Sequence, residues 1–225
     1  MRYYPLFLDL QGRRCAVVGG GRVAERKVRT LLRAGASVHV ISPAVTPRLA
    51  FLAARQKIEI TPRAYRPGDL QGPAVPDAAA RKRPVLVFAA TDDPEVQSLV
   101  RKHAEELGAL VNAADDARES DFIVPASFAQ ADLLVALSTS GASPALARRL
   151  RRQLQLTLGH EYRAYLRFLR AARKQVMDTV PDKAQRAKIF RRLSAAPVMD
   201  WLWKGSPRRA AVDIKKWLAR ITGTE

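Results

Sequence analysis

The sequence predicts an α/β fold: a parallel sheet wound with helices, then a small antiparallel segment, then a C-terminal helical domain. Three observations carry this expectation. Short apolar runs alternate with amphipathic helical stretches as far as residue 113. Two strand-like runs follow with only Ala129, Gln130, Ala131 and Asp132 between them, too short a link for a crossover helix. From Pro144 onward the pattern is helical and strongly basic.

Residues 14–18 (RCAVV) form a β-rich run that Gly19, Gly20 and Gly21 end abruptly. A helix is predicted over 23–34, with Val23, Val28, Leu31 and Leu32 as its apolar stripe and Gly35 as its stop. Residues 37–41 (SVHVI) give a second strand, 45–55 a helix and 58–60 a third strand. Residues 66–84 hold Pro67, Gly68, Gly72, Pro73, Pro76 and Pro84 and read as a turn-rich loop. The continuous apolar run 85–90 suits a strand buried on both faces. A helix over 93–107 stops at Gly108, and 110–113 is the next strand. The antiparallel pair is placed at 122–128 and 133–138. Helices are expected at 144–158, 161–180 and 183–193, with shorter ones around 198–203 and 210–221. The expected domains are 1–116, 117–147 and 148–225.

The bulk numbers fit an enzyme-sized globular chain. Its 225 residues are 48% apolar, too many for a disordered chain. No run approaches the roughly 20 apolar residues of a membrane span, and residues 1–12 do not resemble a signal peptide. A lone cysteine, Cys15, cannot form an internal disulfide, so a reducing cytoplasm is the expected location. The net charge of +18 is uneven: residues 1–147 hold 19 Lys/Arg against 15 Asp/Glu, whereas 148–225 hold 20 against 6. A field of that strength favours an anionic partner. The 29 arginines against 10 lysines favour paired donation to carboxylate or phosphate. A GC-rich coding bias would produce the same excess.

Gly19, Gly20, Gly21, Arg22, Val23 and Ala24 match G-x-G-x-x-[G/A]. Gly19 permits the tight turn, Gly21 lets backbone approach a pyrophosphate, and Ala24 lets helix and strand pack closely. Following a strand and opening a helix, the glycine turn reads as the dinucleotide-binding element of a Rossmann-type sheet, its phosphates held at the helix start. The acidic residue usual at the end of the second strand is missing: Ser42 and Pro43 stand there. Ser42 can hydrogen-bond a ribose, and Arg22 can favour a 2′-phosphate, so these residues leave NAD and NADP both open.

Asp115 and Asp116 follow the strand at 110–113, where ligands of an open α/β sheet bind. A carboxylate there could serve as a general base or as a hard oxygen ligand. It could equally cap a surface turn. Cys15, Trp201, Trp203 and Trp217 read as packing, His39 and His103 lie in a strand and a helix with no ligand spacing between them, and His160 reads as a helix-start surface residue.

Several stretches together carry a family resemblance. They are Tyr4, Pro5, Leu6 and Phe7 with Leu8 and Leu10; VVGGGRVAER at 17–26 with Lys27; AATDD at 89–93; Val111, Asn112, Ala113, Ala114 and Asp115; FIVP at 122–125; and STSGASPAL at 138–146. In this order and spacing the chain resembles the precorrin-2 dehydrogenase/sirohydrochlorin ferrochelatase family, which includes the N-terminal half of bacterial siroheme synthase and stand-alone relatives. The resemblance covers roughly residues 3–152. It implies NAD-dependent oxidation of precorrin-2 to sirohydrochlorin, in some members followed by insertion of Fe²⁺ as a substrate. It implies Asp115 as the catalytic residue and the transient metal contact. The cofactor would be held by Gly19, Gly21, Arg22, Val23, Ser42, Pro43, Ala44 and Thr91. The tetrapyrrole would be held by Asn112, Ser138, Thr139, Ser140, Arg148 and Arg149. Residues 122–138 would interlock two subunits into a homodimer, and the family commonly lacks an acid at the second-strand end. Where the family's fused enzyme has a phosphorylatable serine, this chain has Thr139. The substrate's carboxylates suit an Arg-rich helix bearing Arg148, Arg149, Arg151 and Arg152. No nucleic-acid or membrane partner is expected on this reading. The alternative is a Rossmann dinucleotide-sensing module with a basic nucleic-acid-binding tail, against which stand the missing helix-turn-helix and aromatic–basic signatures.

Overall fold

The computed structural model describes residues 2–71, 83–113, 118–159 and 161–194. The chain divides into two compact units, Met1–Val124 and Pro125–Glu225.

The first unit is the expected parallel sheet. Its strands are β1 (Arg14–Val18), β2 (Ser37–Ile41), β3 (Glu59–Thr61), β4 (Leu86–Ala89) and β5 (Leu110–Ala113). They lie in the order β3-β2-β1-β4-β5, all parallel. The chain therefore reverses direction across the sheet between β1 and β4, the switch point at which such sheets bind ligands. Helices α1 (Arg22–Arg33), α2 (Pro47–Ala54) and α3 (Pro94–Glu106) make the crossovers.

Successive side chains of a strand point to opposite faces, and the core divides accordingly. Cys15 and Val17 of β1 join Val38, Val40, Leu86 and Phe88 under Ala24, Val28 and Leu31 of α1 and Leu49 of α2. Ala16 and Val18 join Ile41, Val87, Ala89 and Val111 under Val100 and Ala104 of α3. Burial pushes the Cys15 thiol up to about 11, which makes it packing rather than a nucleophile.

Helix boundaries follow local chemistry. The second helix was expected from 45, but Thr46 is extended, its Oγ1 accepts from the Leu49 amide at 3.3 Å, and Pro47 takes the first helical position. Asp93 caps α3 in the same way, ahead of Pro94. Gly35 (φ 77°) and Gly108 (φ 69°) stop α1 and α3 in the left-handed conformation.

The second unit holds a hairpin of β6 (Ala126–Gln130) and β7 (Leu133–Leu137), with α4 (Pro144–Thr157), α5 (Glu161–Thr179) and α6 (Lys183–Leu193). The antiparallel pair stands as expected, but its first strand begins four residues later than the predicted 122. The reason is that residues 120–122 are engaged with β5. Asp121 N donates to Val111 O (2.9 Å), and its carboxylate accepts from Val111 N (2.8 Å). Ser120 Oγ bridges the Ala113 amide and carbonyl, and the Phe122 ring meets Phe88 edge-on at 5.5 Å. The hairpin turn is two residues, with Ala131 at φ 52°, tighter than the sequence suggested because neither turn residue is Gly or Asn. The helices expected around 198–203 and 210–221, His160, the three tryptophans and residues 72–82 of the loop lie outside the described residues.

His39 sits inside the sheet, its Nδ1 3.0 Å from Arg14 Nη2 and its Nε2 2.9 Å from Thr61 Oγ1. It can accept from Arg14 only when neutral. Burial first, then the Arg14 charge, holds its pKa below the usual 6.5, with Glu59 and Asp69 acting the other way. The unfolded chain protonates His39 around pH 6.5 while the fold resists. Stability from this site is therefore full above that pH and declines as pH falls below it. The urea midpoint should drop between pH 7.5 and 5.5, and His39→Gln should flatten that slope. An unchanged slope in the variant would refute the assignment.

Candidate cofactor site

The site is built where β1, β2 and β4 end. Gly19 has φ 122°, and a Cβ on it would lie 2.0 Å from Ala90 O and 3.2 Å from the Thr91 amide. Gly20 is as tightly held on its other side: a Cβ there would lie 2.0 Å from Ala44 O and 2.7 Å from Ser42 Oγ. The sequence reading gave Gly20 no role because the fingerprint leaves that position open. Only the fold brings the loop after β2 against it.

Gly21 differs. No atom lies within 4 Å of where its Cβ would project, and it caps α1 without contributing a side-chain acceptor. The first turn of a helix leaves several N–H groups without intrahelical partners. Here the first α-helical bond runs from Glu25 N to Gly21 O (3.0 Å). Open space over Gly21 and uncapped first-turn amides fit a bound phosphate, and a side chain at 21 would fill that cradle. When bound there, a nicotinamide dinucleotide supplies a two-electron acceptor.

The loop after β2 is locked to this turn. Thr46 N donates to Gly20 O (3.0 Å), Gly19 N to Ile41 O (2.9 Å) and Ser42 Oγ to Ala44 O (2.7 Å). Thr46 Oγ1 donates to Glu25 Oε2 (2.8 Å), tying the same loop to α1. Ser42 is buried and its proton is engaged, so toward a ribose its hydroxyl acts as an acceptor. Pro43, Ala44 and Arg22 are exposed at the surface of the site. Thr91 follows β4; its Oγ1 accepts from Asp93 N and its carbonyl from Gln97 Nε2 (2.6 Å). Gly19, Gly21, Arg22, Val23, Ser42, Pro43, Ala44 and Thr91 thus belong to one corner of the first unit.

Asn112 is buried, and both ends of its amide are engaged. Its Oδ1 accepts from Lys27 Nζ (3.0 Å) and its Nδ2 donates to Phe122 O (3.0 Å). The Lys27 ammonium also stands 5.0 Å over the Phe88 ring. Asn112 therefore ties α1 to the segment returning after β5. Lys27, which the sequence reading placed only within a matching stretch, is the other half of that tie. Asp115 and Asp116 lie outside the described residues, between Ala113 and Arg118. Among the described residues no three His, Cys, Asp or Glu side chains form a metal-holding group.

In the second unit, Thr139 Oγ1 donates to Ser143 O and accepts from Ser143 N, both at 3.1 Å. Ser138 Oγ accepts from Ser140 N (3.0 Å), and Ser140 and Gly141 take φ 53° and 90°. Ser143 caps α4 through Leu146 N. The loop is thus closed on itself, with Ser138 and Ser140 exposed. Arg148 and Arg149 are exposed on α4.

A family model described as "Putative NAD(P)-binding" matches residues 6–126, more than half of the chain. The chain belongs to this family. A second model, of the sirohaem biosynthesis protein central region, matches residues 132–155. Siroheme synthase of Chromobacterium violaceum is 37% identical over 97% of this chain and 44% of its own length. Siroheme synthase of Thioalkalivibrio sulfidiphilus is 36% identical over 97% and 42% respectively. The chain thus spans less than half the length of these relatives. A solved structure titled SirC, precorrin-2 dehydrogenase, superposes with a TM-score of 0.74 at 26% identity, covering 95% of this chain and all of that one. The Rossmann-type sheet, the antiparallel hairpin and the helical region read from sequence are the architecture they share. Among the described residues no helix is long and apolar enough to cross a membrane.

The closed and the open position of the turn, Gly20 and Gly21, should separate on substitution. Gly20→Ala forces backbone apart and should cost about 1–3 kcal/mol of stability, together with dinucleotide affinity. Gly21→Ala should change stability by less than about 1 kcal/mol yet weaken dinucleotide binding at least tenfold. Thermal melts paired with calorimetric NAD titrations read both, and equal destabilisation by the two variants would contradict the assignment.

Proposed function

We propose that this protein is an NAD-dependent precorrin-2 dehydrogenase, forming sirohydrochlorin. The observation that carries the reading is the full-length likeness to a structure titled precorrin-2 dehydrogenase, joined to a glycine turn whose open face fits a dinucleotide phosphate. The alternative of a dinucleotide sensor with a nucleic-acid-binding tail finds no support among these relatives.

The reaction removes two electrons and two protons from the tetrapyrrole. A nicotinamide held at the glycine turn would accept the hydride, and the remaining proton passes to a base of the protein. Asp115, which the family resemblance assigns as the catalytic residue, is that base on this reading. Lys27, Asn112 and Phe122 brace both sides of the short stretch that carries it. The substrate's carboxylates are met by Arg148 and Arg149, with Ser138, Thr139 and Ser140 of the loop before α4. Asn112 serves by positioning, since its amide is already engaged.

The segment 117–147 is the dimerisation element in this proposal. A two-stranded hairpin is marginal alone, and β7 leaves Leu134 about half exposed. Sirohydrochlorin ferrochelation follows as a second activity, with Fe²⁺ as substrate and Asp115 taking pyrrole protons. The compartment is the cytoplasm, in keeping with the single, buried Cys15.

Incubation with fresh precorrin-2 and NAD should generate NADH at 340 nm, and Asp115→Ala should lower the rate about 100-fold or more. No NADH from the unaltered protein would end the dehydrogenase reading. Supplying Fe²⁺ with sirohydrochlorin should then give the siroheme band above the uncatalysed rate; a rate equal to that background would remove the chelatase half alone.

A further inference from the structure

Sites of this kind meet the adenosine ribose with an acid at the end of the second strand. Here that position is Ser42, whose proton is already donated to Ala44 O. The negative charge at this edge comes from elsewhere. In α1 the buried stripe is Ala24, Val28 and Leu31. Residues along a helix turn by about 100° each. Glu25, one step past Ala24, thus projects to one flank of the stripe, and Lys27, one step before Val28, to the other. The contacts agree: Lys27 reaches Asn112 on β5, and Glu25 reaches Thr46 in the loop after β2.

Glu25 therefore stands on the β2 side of the first helical turn, beneath the loop that replaces the usual acid. One oxygen, Oε2, holds Thr46; the other, Oε1, takes no hydrogen bond from a described residue. The neighbouring acid after β3, Asp69, is matched by Arg63 in a two-point pair at 2.7 and 2.9 Å and by the Arg66 amide at 2.8 Å. Arg22 opposes Glu25: it is exposed in the same helical turn and carries the charge a 2′-phosphate would seek.

We propose that Glu25 sets cofactor selectivity, its carboxylate disfavouring a 2′-phosphate so that the site takes NAD in preference to NADP. The inference rests on the cofactor reading above and is independent of the tetrapyrrole. A carboxylate held in place by Thr46 repels a doubly charged phosphate more than an uncharged hydroxyl, which is the differential that specificity requires. Its fixed position matters, because the loop it supports is itself anchored to the glycine turn through Gly20 O and Thr46 N.

Calorimetric titration of the 225-residue chain with NAD⁺ and with NADP⁺ tests this without any turnover. The unaltered protein should prefer NAD⁺. Glu25→Gln keeps an acceptor for Thr46 and removes the charge; it should raise NADP⁺ affinity about tenfold and leave NAD⁺ within about threefold. Thr46→Val cuts the tie but keeps the charge, and should weaken both nucleotides while shifting their ratio less than Glu25→Gln does. Arg22→Ala should lower NADP⁺ affinity further. An unchanged NADP⁺/NAD⁺ ratio in Glu25→Gln, with its melting temperature retained, overturns the proposal, as does an unaltered protein preferring NADP⁺. Failure to bind either nucleotide would instead overturn the cofactor reading on which it stands.

Discussion

The first unit depends on backbone approaching backbone where β1 turns into α1. Gly19 meets the carbonyl that follows β4, and Gly20 meets the carbonyl of Ala44 beyond β2. Neither position has room for a single added carbon. The approach draws three strand ends together, and it leaves Gly21 as the member of the triplet whose face is open. A turn pinned on two sides and open on the third fits a phosphate because its shape is imposed from outside it. That shape need not be organised at the moment of binding.

Helix α1 carries this order outward in two directions. Its apolar stripe fixes its rotation about its own axis, and that rotation aims one charged side chain at each half of the sheet. Glu25 secures the loop beyond β2 through Thr46. Lys27 secures β5 through Asn112, which in turn holds Phe122. The two ties start two residues apart, just over half a helical turn, and have opposite sign. The acid stands on the side where the sequence lacks one at the strand end, and the cation on the side of β5. Burial of Asn112 makes its tie the more demanding, since an amide left unpartnered there would carry the full desolvation penalty.

Much of this was legible in the residues. Alternating apolar runs gave the five parallel strands, and β1, β2 and β5 fall at the predicted limits because each is bounded by Gly, Pro or a charged turn. The glycine fingerprint marked the turn at which the cofactor is proposed to bind. What could not be read locally depends on long-range contact. The space around Gly20 depends on Ala44, which is distant along the chain. The run at 122–128 looked like strand because its residues are apolar, yet its first half belongs to the first unit through Asp121 and Phe122. Asn112, expected as a substrate contact, also bonds Lys27 and Phe122, partners that lie far from it along the chain. Thr46 and Pro47, by contrast, were a readable helix-start signal that the apolar periodicity from Val45 overrode.

The charge asymmetry gains a sharper meaning from the fold. The first unit is nearly balanced and pairs charges within itself: Arg63 with Asp69, Arg101 with Glu119 and Asp121, Arg14 with Glu59. Among the described residues of the second unit, Arg170 with Asp132 is the ion pair, and the arginines of α4 face outward. Cations paired within a unit contribute to its own architecture, whereas unpaired exposed ones contribute a field. A ligand bearing many carboxylates suits such a field, and a dinucleotide with two phosphates suits the narrow amide cradle of the glycine turn. On the proposed reading the two halves of the chain differ in how they meet anions, by preorganised backbone in one and by accumulated charge in the other. That division matches a reaction in which one reactant must be held in register and the other must be gathered.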